Sequence, residues 1–194
     1  MRGNLSSPGE IKRQIGYRDF NNRDFLLETV KQCQNGDTGA MENVYVAYKS
    51  SIFNLTCRFT GDPSLAEDLL QDIFIKVFTN IGSLKSPDAF NSWLYRIAVN
   101  TCMSFGRKKR KTKEIPLREI EDAGPSYDSE NHVRQQLEQA INMLPPKQKI
   151  VFQLHDVQGF TNAEIAKIMR STEGTAKSQL FKARMKIRNF LRSK

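Results

Sequence analysis

The chain has 194 residues, which is enough for one ordinary domain or two small ones. Hydrophobic residues make up 39% of it, so a compact core is expected, whereas no apolar run predicts a membrane span. The net charge is +9, from 30 Lys or Arg against 21 Asp or Glu. Residues 1–20 contain neither an apolar core nor a small-residue cleavage site, so we predict a cytoplasmic protein without a signal peptide.

The positive charge is concentrated at the C-terminal end. Residues 143–194 contain eleven Lys or Arg and three Asp or Glu, so this segment has a net charge of +8 out of the total of +9. Such an excess is typical of a nucleic-acid-binding module. A helical surface that is merely solvated by water is the alternative interpretation.

Cysteine and histidine are too few to predict a metal or a catalytic site. Cys33, Cys57 and Cys102 are widely spaced and form no Cys-x-x-Cys pair, and the only histidines are His132 and His155. We therefore predict buried free thiols rather than disulfides or zinc ligands. We also expect no catalytic residues, no metal and no cofactor.

In chain order, residues 1–23 are predicted to be a flexible N-terminal extension. A helix follows and ends at Asn35-Gly36, and Asp37 or Thr38 caps the next one, which stops at Gly61-Asp62-Pro63. Ser64-Leu65-Ala66-Glu67 has the pattern of a capping box and predicts the start of a third helix.

After Gly82 to Pro87, a fourth helix is predicted, with Trp93 at a core position. Residues 107–131 begin with a basic run and continue with acidic, Pro and Gly residues, which predicts an extended linker. The expected fold class is therefore all-α, with two small helical domains, residues 24–106 and 132–194, joined by this flexible linker.

The last 34 residues show the pattern of two helices separated by a tight turn. Thr161-Asn162-Ala163-Glu164 is a second capping box, Arg170-Ser171 makes a short break, and Thr172 can cap a long final helix. Such a pair predicts a helix-turn-helix, whose second helix enters the major groove and meets base edges with its early residues. A plain helical hairpin with a solvated basic face would give a similar pattern.

Several of these segments resemble one family. Residues 144–152, 159–166 and 174–184 resemble region four of extracytoplasmic-function (ECF) sigma factors, and residues 66–74 and 93–100 resemble their region two. The order and spacing of the segments agree with the family as well. The resemblance extends over roughly residues 24–191.

The resemblance implies a transcription initiation factor that binds core RNA polymerase and directs it to promoter DNA. Region four would read the upstream, minus-thirty-five element as duplex, and region two would open the downstream, minus-ten element and hold its non-template strand. The family also commonly has an anti-sigma factor, which we expect here as a further partner. Neither a small-molecule substrate nor direct membrane insertion is expected.

Three sets of candidate site residues follow from the recognition helix and from the resemblance. Residues expected to contact the upstream element are Thr175, Lys177, Ser178, Gln179, Phe181, Lys182, Arg184 and Arg188. Residues expected to contact the downstream element are Leu84, Lys85, Ser86, Asp88, Arg96, Asn100, Lys108, Lys109 and Arg110. An acidic helical face resembles the docking surface for the polymerase, and its residues are Asp68, Gln71 and Asp72.

Some positions leave alternatives open. Arg170-Ser171 stands where the family usually has Gly and an aliphatic residue, so the turn geometry is undetermined, and Gln179 stands where Arg is common. Phe181 could touch a thymine methyl group or turn back into the core. An autonomous helix-turn-helix regulator is the second functional interpretation. A nuclease is the third, although the sequence contains neither a Gly-x-x-x-x-Gly-Lys phosphate-binding loop nor a His-rich set.

Overall fold

The computed structural model describes residues 23–111 and 129–193, with side chains for residues 23–109 and 133–193. In chain order the helices are α1 (Arg23–Gln34), α2 (Thr38–Thr60), α3 (Pro63–Asn80), α4 (Phe90–Lys111), α5 (Ser129–Asn142), α6 (Pro146–Phe152), α7 (Asn162–Met169) and α8 (Glu173–Arg192). Two 3₁₀ turns, Ile81–Ser83 and Pro87–Ala89, connect α3 to α4, and a π-helical turn, Gln153–Val157, follows α6. The all-α prediction is confirmed.

We call α1–α4 the N-terminal half and α5–α8 the C-terminal half. Most of the predicted N-terminal extension, and residues 112–128 of the predicted linker, lie outside the described residues. Within the described ranges, none of the helices has the length and apolar character needed to cross a membrane.

Three of the predicted helix starts are confirmed. The Asp37 side chain accepts a hydrogen bond from the backbone N–H of Ala40 at the start of α2. Thr161 and Glu164 form the capping box of α7 in both directions. Thr172 accepts a hydrogen bond of 3.1 Å from a backbone N–H in the first turn of α8.

The predicted capping box at Ser64 is wrong. The N-cap lies two residues earlier, at Asp62, and helix α3 begins at Pro63. The side chain of Asp62 accepts hydrogen bonds from the backbone N–H groups of Ser64 at 2.9 Å and Leu65 at 3.2 Å. Proline is favoured at the first helical position because it lacks the N–H group that would have no partner there. The Asp-Pro pair therefore outweighs the Ser-x-x-Glu pattern that follows it.

The structure also corrects the start of the linker. Helix α4 continues through Lys111, so residues 107–111 are helical rather than extended. Arg and Lys have high helix propensity, and the sequence offers no proline that would end the helix there. Helix α5 likewise begins at Ser129, inside the predicted linker.

The N-terminal half closes around an apolar core from all four of its helices, including Val30, Ile52, Ile73, Phe90 and Leu94. The cysteines are free thiols, and the prediction that they are buried is confirmed for Cys33 and Cys102, whereas Cys57 is half-buried. Desolvation by burial raises the pKa of Cys33 to about 11 and that of Cys102 to about 12.

The two halves also pack against each other, which the sequence did not predict. Arg58 of α2 forms an ion pair of 2.6 Å with Glu138 of α5 and donates a hydrogen bond to Gln153. The Tyr95 hydroxyl of α4 lies 2.5 Å from an amide oxygen of Gln158. Buried residues of α6, α7 and α8 belong to the same apolar cluster as the core of the N-terminal half.

Candidate nucleic-acid interface

The turn between α7 and α8 forms with Arg where the family usually has Gly. Arg170 adopts a left-handed conformation, with φ 51° and ψ 51°, at the C-cap of α7. The backbone N–H of Ser171 then reaches back to the carbonyl of Ala166 at 2.9 Å. This arrangement provides hydrogen-bond donors for carbonyl groups in the last turn of α7, and Thr172 can then cap α8.

The outward face of α8 carries most of the residues predicted to contact the upstream element. Ala176, Leu180, Ala183 and Ile187 are its buried residues, so the opposite face is left to solvent. Exposed on it are Thr175, Lys177, Ser178, Phe181, Lys182, Arg184 and Arg188, whereas Gln179 is half-buried. Phe181 is 66% exposed, which shows that its ring does not turn back into the core.

Arg184 is held by an acid from outside the helix. Its Nε donates to Oδ2 of Asp156 at 3.0 Å, and Nη2 pairs with Oδ1 of the same carboxylate. His155 Nδ1 lies 2.9 Å from that carboxylate as well. Burial alone would raise the pKa of Asp156, but hydrogen bonds from Arg184 and His155 outweigh it and hold that pKa below its ordinary value. The hydrogen bond with Asp156 in turn raises the pKa of Arg184.

Residues 84–88 resemble the base-selecting loop of the family; this loop follows the first 3₁₀ turn and ends within the second. Lys85 and Ser86 are exposed there, and Asp88 forms an exposed ion pair of 2.8 Å with Arg23 at the start of α1. Leu84 differs from the prediction, because its side chain is buried in the core and only 6% of the residue is exposed. Leu84 therefore anchors the loop and does not present a side chain to DNA.

A cleft of about 350 Å³ lies between this loop and α4. Lys85 and Ser86 line one side, and Trp93 and Arg96 of α4 line another. Trp93 is 8% exposed, so its predicted core position is confirmed, although part of its ring borders the cleft. Two residues of α7, in the C-terminal half, complete the lining.

The remaining downstream residues lie further along α4. Asn100 is exposed one turn after Arg96, as its spacing predicted. Lys108 is exposed, and Lys109 places its ammonium group 5.5 Å from the ring centre of Phe105. The side chain of Arg110 lies outside the described residues.

The predicted polymerase-docking residues share the outward face of α3. Asp68, Gln71 and Asp72 are all exposed. Ile75, one turn after Gln71, is 64% exposed and adds an apolar side chain to this face. Ile75 was not among the predicted docking residues, although its position four residues after Gln71 would have indicated it.

Two residues that support the candidate sites were also missed. Asp156 holds Arg184 from a π-helical turn, and Gln34 of α1 hydrogen-bonds to the loop before α4. Neither belongs to a local motif, and the partners lie 28 and about 50 residues away in sequence. No signal in a single sequence indicates such pairs.

Two family comparisons cover both halves. Residues 44–112 match Sigma-70 region 2, and residues 134–187 match Sigma-70, region 4. The first match extends from α2 through α4, and the second from α5 to within α8. An autonomous helix-turn-helix regulator would not account for the first match.

Named relatives agree with this assignment. The chain is 31% identical over 176 residues to the ECF RNA polymerase sigma-E factor of Escherichia coli K12, covering 82% of this chain and 91% of the relative. It is 32% identical over 177 residues to the corresponding factor of Haemophilus influenzae, covering 82% and 92%. The ECF RNA polymerase sigma factor SigW of Bacillus subtilis is 29% identical, with coverage of 86% and 97%.

Solved structures support the fold. The sigma factor RpoE of Bartonella quintana, crystallised with the anti-sigma factor NepR, matches with a TM-score of 0.66 and 23% identity, covering 78% of this chain and 96% of that one. CnrH, in complex with the cytosolic domain of CnrY, matches with a TM-score of 0.66 and 16% identity, covering 87% and 97%. With both regions present in order, and with sigma-E relatives aligned over four fifths of its length, the chain belongs to the ECF family of RNA polymerase sigma factors, which direct the polymerase to promoters.

Proposed function

We propose that this sigma factor divides promoter recognition among three surfaces, each on a different element. The outward face of α8 reads the upstream element as duplex, the cleft beside α4 holds the displaced strand, and the outward face of α3 docks on core RNA polymerase. The protein itself supplies binding energy and no catalytic group. It acts in the cytoplasm, where polymerase and promoter DNA meet.

The exposure of Phe181 between Lys177 and Arg184 carries the proposal for duplex reading. Its ring is 66% exposed on the same face as these cations, where an apolar side chain of a recognition helix can contact the methyl group of a thymine. Lys177 and Ser178 lie in the first turns of α8, where side chains of a recognition helix reach base edges. Arg188 lies further along, where phosphate contact is expected.

The cleft beside α4 supports the proposal for strand holding. Readers of single-stranded DNA combine positive charge with flat or apolar surfaces against which bases pack. Lys85 and Arg96 supply the charge and the edge of Trp93 supplies the flat surface. Asn100, one turn beyond, adds an amide that can hydrogen-bond to a base edge.

The face of α3 supports the docking proposal because it combines carboxylates with an exposed apolar residue. Asp68 and Asp72 lie one turn apart, and Ile75 follows on the same side. Neither acid has an ion pair within the described residues that would explain its position. A partner with a basic, partly apolar helical surface complements this face.

We further propose an anti-sigma factor as a second protein partner. Two solved structures that share this fold contain a second protein: the sigma factor RpoE was crystallised with the anti-sigma factor NepR, and CnrH is in complex with the cytosolic domain of CnrY. The docking face of α3 and the cleft beside α4 would be unavailable to polymerase and DNA when such a partner covers them.

Transcription from added promoter DNA by core RNA polymerase tests the docking proposal. The double substitution Gln71→Ala and Asp72→Lys should reduce both capture of core polymerase and promoter-dependent transcription, because it reverses charge on the docking face. Glu28→Lys, a charge reversal at an exposed acid of α1, is the matched control and should leave both unchanged. Equal capture of polymerase by the two variants would contradict the assignment of this face.

A further inference from the structure

We propose that Gln34 of α1 is a positioning residue that sets the geometry of the base-selecting loop for the unpaired strand. Its single amide nitrogen donates to two backbone carbonyls, that of Ile81 at 3.2 Å and that of Leu84 at 2.8 Å. Ile81 is the first residue of the 3₁₀ turn that precedes the loop, and Leu84 is the residue that follows this turn. The inference rests on the proposed function, since it concerns the loop assigned above to strand holding.

Leu84, the first residue of the loop, is held by both its side chain and its backbone. Leu84 is anchored through its buried side chain, and its main-chain carbonyl accepts the hydrogen bond from Gln34. Its own N–H bonds to the carbonyl of Ile81 at 3.1 Å, so the amide of Gln34 and this N–H share one acceptor. Directly after Leu84 come Lys85 and Ser86, which are exposed and line the cleft. Their direction is therefore determined by the point that Gln34 holds.

An ion pair between α1 and the loop contributes less. Arg23 pairs with Asp88 at 2.8 Å, but their side chains are 77% and 47% exposed. Exposed ion pairs of this kind contribute little, because water and salt screen them. Gln34 is half-buried, so its hydrogen bonds are better protected from competition with water.

Helix α1 lies outside the part of the chain that matches region 2, which begins at residue 44. The match therefore assigns no role to Gln34. The amide of Gln32, on the same helix, instead donates to Glu28 within α1 at 3.3 Å. This makes Gln32 a matched control for a substitution at Gln34.

The test compares the full-length wild-type protein with Gln34→Leu and Gln32→Leu. Each is combined with bacterial core RNA polymerase and a library of duplex promoters randomised in the downstream element. Opening is measured by permanganate reactivity of unpaired thymines on one promoter selected by the wild type, and closed-complex binding by gel shift on the same DNA. Base preference is read from the library transcripts.

For Gln34→Leu we expect about a tenfold lower equilibrium constant for opening, because two neutral hydrogen bonds are lost. Closed-complex binding should be unchanged, and base preference should flatten at the downstream positions that the loop contacts. Gln32→Leu should behave as the wild type. Gln34→Glu keeps the size but brings an acceptor towards two carbonyls, so it should impair opening at least as strongly.

Three results would overturn the inference. The first is equal opening by Gln34→Leu and Gln32→Leu, which would leave the proposed function intact. The second is a purely structural role of Gln34. It would be indicated by an equal loss of opening on all promoters with unchanged base preference, or by loss of the helical fold in both Gln34 variants. The third is failure of the wild type to open any promoter in the library, which would refute the proposed function and with it this inference.

Discussion

Truncating the exposed aromatic ring of α8 should separate stability from recognition. Phe181 is 66% exposed, so about a third of its side chain is shielded from water. A fully buried aromatic residue removes roughly 200 Å² from water, so the shielded part of Phe181 is about 70 Å². At about 25 cal/mol per Å², Phe181→Ala should lower the free energy of unfolding by less than about 2 kcal/mol. Phe90 is 0% exposed, so Phe90→Ala should lower the free energy of unfolding by about 3–5 kcal/mol.

Urea unfolding of both variants measures the first part of this prediction. The second part is measured by binding of the polymerase holoenzyme to promoters in which single thymines of the upstream element are replaced by uracil. Removal of one methyl group that packs on Phe181 should weaken wild-type binding by about 0.8 kcal/mol, or about fourfold. The Phe181→Ala protein should bind the thymine and uracil promoters with equal affinity.

Two results would refute this reasoning about Phe181. If Phe181→Ala destabilised the protein as much as Phe90→Ala, the ring would belong to the core in solution. If every thymine-to-uracil replacement weakened the wild type and Phe181→Ala equally, the ring would not contact a thymine methyl group. In either case the outward face of α8 would have to be reassigned.

Further predictions concern the turn, the division of DNA contacts and acid stability. Arg170→Gly should raise the free energy of unfolding by about 1 kcal/mol in urea titrations, because glycine adopts a left-handed conformation without steric cost. Lys177→Ala should relax base preference at one or two upstream positions, whereas Arg188→Ala should weaken all promoters alike and lower the salt slope by about 1. The pKa of Asp156 is lowered in the folded state, so its stabilising effect is present above about pH 4 and is lost as the pH falls through the folded pKa. The difference in stability between the wild type and Asp156→Asn should therefore shrink on acidification, and a constant difference would contradict this.

The sequence predicted most of the helices because their signals are local. A capping residue and an apolar stripe lie within a few positions of each other, and Thr161 with Glu164 or Thr172 before α8 could be read directly. The start of α3 was misplaced because two local signals competed, and Asp62 before a proline outweighed the pattern at Ser64. A competition of this kind depends on backbone geometry that a pattern does not contain.

The sequence predicted which helices carry the candidate site. It predicted only partly which side chains of the site are exposed. The spacing placed Arg96 and Asn100 one turn apart on α4, and both are at least partly exposed there. Leu84 was expected to contact DNA because of its place in the loop, yet its side chain is buried. In an irregular loop there is no periodicity from which the direction of a side chain could be inferred, so the burial of Leu84 in the core appears only in the tertiary structure.

The contact between the two halves bears on how strand binding has to proceed. In the structure α7 lines the cleft beside Arg96, so a DNA strand bound in this cleft either contacts the C-terminal half or displaces it. The polar part of the contact includes the pair between Arg58 and Glu138, whose side chains are 23% and 38% exposed, and partly solvated pairs of this kind are weaker than the core of a domain. A ligand shifts the equilibrium between packed and separated halves only by the difference between its binding free energies for these two arrangements. If α7 is displaced, polymerase and promoter must together bind the separated halves more tightly than the packed ones, by at least the free energy that this contact contributes.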